Sequence, residues 1–182
     1  MEVLRTERLR LRQVSLHHDG AFLIELLNEP AFILNVRDCG IFTEDDAREY
    51  MKNGPLKSYE GNGFGGYVVE IIEKREDGSE REEEERYIPV GLCGIYKRDF
   101  LPHPDLGYAF LERNWKRGYA REAARGVIQY ARDTLHISTL LAIIDPKNAP
   151  SIKLAESLGF ILKEQMDDPA SHKLVNLYII SI

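Results

Sequence analysis

Leucines at 9 and 11 stand between arginines at 8, 10 and 12 in "RLRLR", and this alternation predicts a strand from about Val3 to Gln13 with Leu9 and Leu11 on one face. The period then changes. Phe22, Leu23, Leu26 and Leu27 recur at helical spacing and predict a helix stopped near Pro30. A second helix follows in "TEDDAREYMKNG", opened by Thr43 and Asp46 as a variant of the capping box. Two β-rich runs, 63–72 and 87–96, predict antiparallel strands joined by a long solvated loop at 74–86, a charged insertion with the turn signal Asp77-Gly78. The Glu82–Glu85 run within it reads as a solvated tip. Pro89 cannot donate to a ladder, so pairing is expected to begin only after it.

The second half is more regular. Residues 105–112 read as a strand, and Ala120, Ala124, Val127, Ile128, Ala131 and Leu135 draw one apolar face on the helix that follows. A short apolar run at 138–145 has strand length. "NAPSIKLAESLGF" reads as a helix ending on Gly159 as its left-handed C′ residue, with Phe160 packing beyond it. Two closing strands, "FILKEQM" and 172–182, form a hairpin around Asp167-Asp168-Pro169. The expected fold is α/β (α+β): a mixed, mostly antiparallel sheet of about seven strands with one parallel pair, 105–112 and 138–145, flanked by about four helices. A crevice outside the carboxyl ends of such a parallel pair is a natural ligand site.

Composition sharpens this picture. The 182 residues are 43% apolar and 30% charged, which fits one domain, 1–182, with a core of its own. A net charge of -6 argues against nucleic acid as a partner. Cys39 and Cys93 have no metal-ligand spacing and read as free thiols of a reducing compartment. "MEVLRTERLRLRQV" lacks a signal-peptide core and no run is long enough to span a membrane, so the expectation is a cytoplasmic chain without membrane partners.

Candidate chemistry gathers at "ERNWKRGYAREAARG", 112–126. Gly118 lacks a Cβ and Ala120 is small, so an anion could come close to the main-chain N–H groups of Arg117 to Arg121 with the helix dipole behind them. Lys116, Arg117 and Arg121 add positive charge, and Tyr119 lies at the helix entrance. An ordinary helix start is the other reading of the same residues.

"LGYAFLERNWKRGYAREAARGVIQYA", followed by "DPKNAPSIKLAESLGF", resembles the GCN5-related N-acetyltransferases (GNAT), nearest to the RimJ/RimL branch. Gly118 and Ala120 match the last half of that family's Gln/Arg-x-x-Gly-x-Gly/Ala phosphate loop, with Trp115 at the Gln/Arg position. The opening "RTERLRLRQV" and "PDLGYAFLERNW" resemble the branch's first and fourth strands. The resemblance implies acetyl-coenzyme A as co-substrate, no metal, and a GNAT fold whose parallel pair is splayed to hold the cofactor. It also implies a primary-amine acceptor, either a protein N-terminus or a small molecule. By the same resemblance the pyrophosphate lies on the turn at 117–121, and main-chain groups near Phe110 and Leu111 bond the pantetheine arm. Asn148 binds that arm through its side chain, with Ser151 beside it. A helix cap at Asn148 and a solvent-facing Ser151 are the alternatives.

For the chemistry, Asp105 is the first candidate base, at a place where the branch usually carries Glu, and Glu112 is the second carboxylate. Asp105 could equally be a turn residue after His103-Pro104. The tetrahedral oxyanion would take a main-chain N–H near Leu111. Many relatives carry a tyrosine as proton donor where this chain has Ala155, so Tyr108, Tyr119 or water would have to substitute. The rival to an enzyme is a GNAT module that holds an acyl-coenzyme A without turnover. A second copy of the chain, as a homodimer, is the candidate protein partner.

Overall fold

The computed structural model describes residues 1–73, 85–169 and 171–182; the Asp77-Gly78 turn and most of the predicted 74–86 loop lie outside them. Among the described residues one eight-stranded sheet runs β1-β2-β3-β4-β5-β6-β8-β7. The strands are β1 (Glu2–Arg5), β2 (Leu9–Arg12), β3 (Gly66–Glu73), β4 (Arg86–Tyr96), β5 (Asp105–Phe110), β6 (Thr139–Ile144), β7 (Ile161–Asp167) and β8 (Leu174–Ser181). The helices are α1 (Gly20–Leu27), α2 (Pro30–Asn35), α3 (Glu44–Met51), α4 (Lys57–Asn62), α5 (Tyr119–Asp133) and α6 (Ala149–Ser157). All neighbouring strands pair antiparallel except β5 and β6.

Local chemistry explains where the elements depart from the sequence pattern. The predicted first strand is a hairpin, because the alternation of Leu9 and Leu11 does not extend back through Val3–Leu4. The chain reverses at Thr6, whose N–H donates to Leu9 O at 2.9 Å and whose Oγ accepts from Leu9 N–H at 3.2 Å. Pro30 starts α2 as well as stopping α1, since a residue without an N–H suits the first helical position. The predicted second helix continues through a π turn at Lys52–Leu56, which absorbs the missing N–H of Pro55, into α4. Its capping box is present: Thr43 Oγ accepts from Asp46 N–H, and Asp46 accepts from Thr43 N–H.

Pairing of β4 begins before Pro89, at Arg86 opposite Glu73, contrary to expectation. A bulge makes this feasible: Val69 pairs with Gly91 and Glu70 with Pro89, leaving Val90 as the extra residue beside the proline. Strand β5 ends at Phe110 rather than 112, where Glu112–Asn114 turn into a single 3₁₀ turn.

Two apolar layers cover the sheet. On one face Leu106, Phe110, Leu140 and Phe160 pack with Ala123, Ala124, Val127 and Ala131 of α5. On the other, Val68, Leu92 and Leu111 pack with Leu23, Leu26 and Leu27 of α1 and Ala47 and Met51 of α3. The small side chains on α5 let the helix lie close to β4 and β5.

Candidate active site

At the N-terminus of α5 the chain makes an exposed, left-handed turn. Lys116 has φ 61° and Gly118, the N-cap of α5, has φ 82°, a conformation that glycine alone adopts without strain. The first helical bond runs from Glu122 N–H to Gly118 O at 3.1 Å, and no side chain caps the turn. The N–H groups of Tyr119, Ala120 and Arg121 therefore face outward without an acceptor among the described residues. Trp115 holds the turn to β5, its indole N–H donating to Phe110 O at 2.7 Å.

Through Trp115 the turn is tied to the far end of β5, the strand that parts from β6. These strands share a single paired position, Asp105 with Leu141, and Leu141 N–H donates to Pro104 O at 2.9 Å. Beyond that point they part. Leu111 N–H donates to Val90 O at 3.0 Å, so odd-numbered residues of β5 turn their main-chain groups toward β4. By parity, Leu106, Tyr108 and Phe110 turn theirs toward β6 and into the gap. Phe110 thus has its N–H on the open edge, whereas Leu111, the other expected main-chain partner of the arm, does not; its N–H is spent within the sheet.

A narrow cleft of about 80 Å³ fills the gap, with Leu106, Tyr108, Ala142, Asn148, Ser151 and Ala155 in its wall. Asn35 and Val36 at the end of α2 reach the same cleft, which links the 17–60 region to the site. Asn148 caps α6, its side-chain oxygen accepting from Ser151 N–H at 3.2 Å. That bond fixes the side chain and leaves its amide N–H₂ directed elsewhere. Tyr108 donates from its hydroxyl to Ser151 O at 3.3 Å, and burial pushes its phenol up to about 12.

Asp105 lies where β5 and β6 begin to part and is only 2% exposed. Arg98 Nε donates to its Oδ1 at 2.9 Å. Burial raises the carboxyl above its ordinary value, and the Arg98 guanidinium offsets part of that rise. The charge of Asp168, in the β7–β8 turn, also acts on both Arg98 and Asp105. Tyr96 pairs opposite Asp105 on β4, and burial holds its phenol well above the usual range.

Glu112 does not join Asp105. It sits past the far end of β5, exposed, at a distance of about 20 Å for six strand residues. Its N–H donates to the Glu29 carboxylate at 2.9 Å, a structural contact that ties α2 to the turn after β5. Among the cysteines, Cys93 is buried and burial pushes its thiol up, which leaves it unsuited to act as a nucleophile.

Arg8 and Glu122 had no signal in the sequence pattern. Arg8 Nη1 donates to Arg117 O at 3.0 Å, its guanidinium pairs with Glu122 at 2.6 Å, and it lies 5.0 Å over the Tyr119 ring. Glu122 also accepts from Thr6 Oγ at 2.6 Å and from Arg8 N–H at 2.9 Å. These partners are more than a hundred residues apart in the chain, so no local motif could announce them.

Residues 8–161 match the family model described as "Acetyltransferase (GNAT) domain". The chain belongs to the GNAT acetyltransferase family. A relative from Bacillus licheniformis, named "Uncharacterized N-acetyltransferase p20", is 30% identical over 188 residues, covering 100% of this chain and 96% of the relative. The acetyltransferase of Agrobacterium tumefaciens strain C58 superposes on this GNAT chain with a TM-score of 0.73 at 25% identity, over 98% of this chain and 94% of that one. RimL, described as a ribosomal L7/L12 α-N-protein acetyltransferase, has the same fold in its apo form at TM-score 0.78 and 14% identity, covering 100% of this chain and 94% of RimL. A further RimL structure, in complex with coenzyme A, superposes at TM-score 0.68 and 15% identity, over 100% of this chain and 98% of RimL.

Proposed function

We propose that this GNAT protein transfers the acetyl group of acetyl-coenzyme A to a primary amine by direct attack within a ternary complex. The observation that carries the reading is the splay of β5 from β6 together with the bare N-terminal turn of α5, which Trp115 ties to the end of β5. An anion as large as a pyrophosphate suits the outward N–H groups of Tyr119, Ala120 and Arg121, with Lys116, Arg117 and Arg121 around them. An amide-bearing arm suits the open edge of β5, at the Tyr108 main chain and the Phe110 N–H, where it would add as a strand does. Asn148 and Ser151 face the same arm from α6.

The acceptor must be neutral to attack. An α-amine has an ordinary pKa of about 7.7–8.0 and a lysine amine about 10.4, so a proton has to leave. Asp105 takes it, directly or through one water, and burial makes it a better base than an exposed aspartate. As the nitrogen–carbon bond forms, the carbonyl oxygen becomes an oxyanion, which takes a main-chain N–H of the open β5 edge. The carbon–sulfur bond then breaks, its electron pair goes to sulfur, and the Tyr108 phenol supplies sulfur's proton; the nitrogen gives up its remaining extra proton, which restores the phenol through water.

The place of Tyr108 answers the missing donor at Ala155. A long side chain at 155 would lean toward the N-terminus of α6 and cover the turn above it, at Ser151. The Tyr108 hydroxyl reaches that spot from β5. Ala155 is also the observation that favours the rival reading, a module that holds an acyl-coenzyme A without turning it over. Release of free coenzyme A thiol separates the two. Acetyl-coenzyme A is offered with polyamines, amino acids and peptides with free N-termini. Thiol release that requires both an amine and Asp105 supports the enzyme; binding with no release from any amine class supports the module.

A further inference from the structure

We propose that Arg8 is a coenzyme-positioning residue that shields the phosphate turn from the negative charge of Glu122. The inference rests on the acetyl-coenzyme A reading above and adds residues from outside the turn to it. Glu122 stands in the first turn of α5, one residue beyond the outward N–H groups of Tyr119, Ala120 and Arg121. An acid there suits the helix dipole but opposes any anion that binds the same N-terminus. Burial pushes the Glu122 carboxyl up, and the Thr6 hydroxyl, the Arg8 N–H and the Arg8 guanidinium together outweigh it, so the group is held below its ordinary value. Glu122 is therefore a fixed negative charge at neutral pH, about one helical turn from the anion site.

Arg8 answers that charge in three ways. Its Nε and Nη2 fork onto Glu122 Oε2 at 2.7 and 2.6 Å. Its Nη1 donates to Arg117 O at 3.0 Å, which fixes that carbonyl of the turn. Its Nη2 also lies 3.3 Å from where a Cβ on Gly118 would stand, so the guanidinium backs directly onto the turn. The hairpin turn that presents Arg8 is itself seated on α5, because Gly126 lacks a side chain where one would sit 3.1 Å from Leu4 Cδ1 and Thr6 Cγ2. Arg121 and Arg125 line the same side of α5 but form no ion pair among the described residues, so Arg8 is the cation committed to Glu122.

A structural brace and a charge shield predict different things. If Arg8 only braces the turn, removing Glu122 as well adds damage. If it shields, removing Glu122 undoes the damage. The test is calorimetric titration of the unaltered protein, Arg8→Ala, Glu122→Gln and the double variant with coenzyme A, which needs no acceptor, alongside thermal unfolding of each. Arg8→Ala is expected to weaken binding about tenfold or more, as for a lost charge-assisted pair. Arg8→Ala with Glu122→Gln is expected to recover to within about threefold of the unaltered protein. The Arg8→Ala penalty is expected to shrink in about 1 M salt, where charges are screened beyond about 3 Å.

A double variant as weak as Arg8→Ala, or a penalty indifferent to salt, overturns the proposal. Should Arg8→Ala fail to fold, Glu122→Gln alone decides: affinity at least equal to the unaltered protein supports the shield, and a tenfold loss overturns it. No binding by the unaltered protein overturns the coenzyme reading itself, an outcome distinct from failure of the shield.

Discussion

Gly118 combines a φ of 82° with an Arg8 nitrogen 3.3 Å from its missing Cβ, so a branched side chain there strains the backbone and displaces the guanidinium at once. Gly118→Val is expected to reduce acetyl-coenzyme A affinity at least tenfold in calorimetry while thermal unfolding stays cooperative. Asp105→Asn removes the base and is expected to lower kcat about a hundredfold or more. The base must be ionised to act, and its carboxyl lies above the ordinary value of 3.8 through burial, so kcat rises with pH across a correspondingly raised pKa. Arg98, Asp168 and Tyr96 are the charged or titratable groups that act on or face it. Arg98→Gln takes away the guanidinium that lowers this pKa, and the acid limb of the pH–rate profile moves to higher pH. Tyr108→Phe is expected to cost about ten- to a hundredfold in kcat, with little change in the KM for acetyl-coenzyme A. Asp105, Tyr108 and Gly118 could be named as candidates from the sequence because each sits in a local pattern. Arg8, Glu122 and Arg98 were not, because their roles arise from contacts or charges that depend on the fold.

Helix α6 shows how an element can be read from its ends. Asn148 caps it, and at the other end Phe160 N–H bonds to Ala155 O while Gly159 N–H bonds to Glu156 O. Gly159, at φ 96°, is the left-handed residue that such a C-terminal motif requires. Asn148→Ala is expected to destabilise the protein by about 1 kcal/mol through the lost cap. It is also expected to weaken acetyl-coenzyme A binding by more than that stability loss explains, because the same side chain faces the cleft; unchanged affinity would make the asparagine a cap only. The ends of α5 and α6 were readable because glycine and asparagine there have local causes. The hairpin at Thr6, the π turn at Pro55 and the pairing past Pro89 were not, because each is a tertiary solution to a residue that local rules would treat as a stop or a continuation. Glu112 was misplaced for a related reason: β5 leaves its extended path at Leu111, where that residue docks under α1 and α3.

Across the whole molecule, the sheet does two things at once. It is continuous from β1 to β7, yet at β5–β6 it is joined by one paired position, so the opening that weakens the sheet is also the place where a ligand can complete it. Helix α6 lines that opening with Ser151 and Ala155, and α2 reaches it through Asn35 and Val36. From β3 onward the order of elements, including the single parallel crossover, followed from the alternation and helical period of the chain. Which amine the site accepts did not, since the 17–60 region and the closing hairpin carry no motif for it. A ligand that bridges β5, β6 and the α5 turn is expected to raise the unfolding temperature with the logarithm of its concentration above Kd. The most direct test of the central claim is titration of the unaltered protein with acetyl-coenzyme A in a calorimeter, repeated with Gly118→Val. Saturable one-to-one binding that the substitution abolishes is the expected result. Equal binding by both proteins, or none by either, would contradict the assignment of the turn and the splayed strands as the coenzyme site.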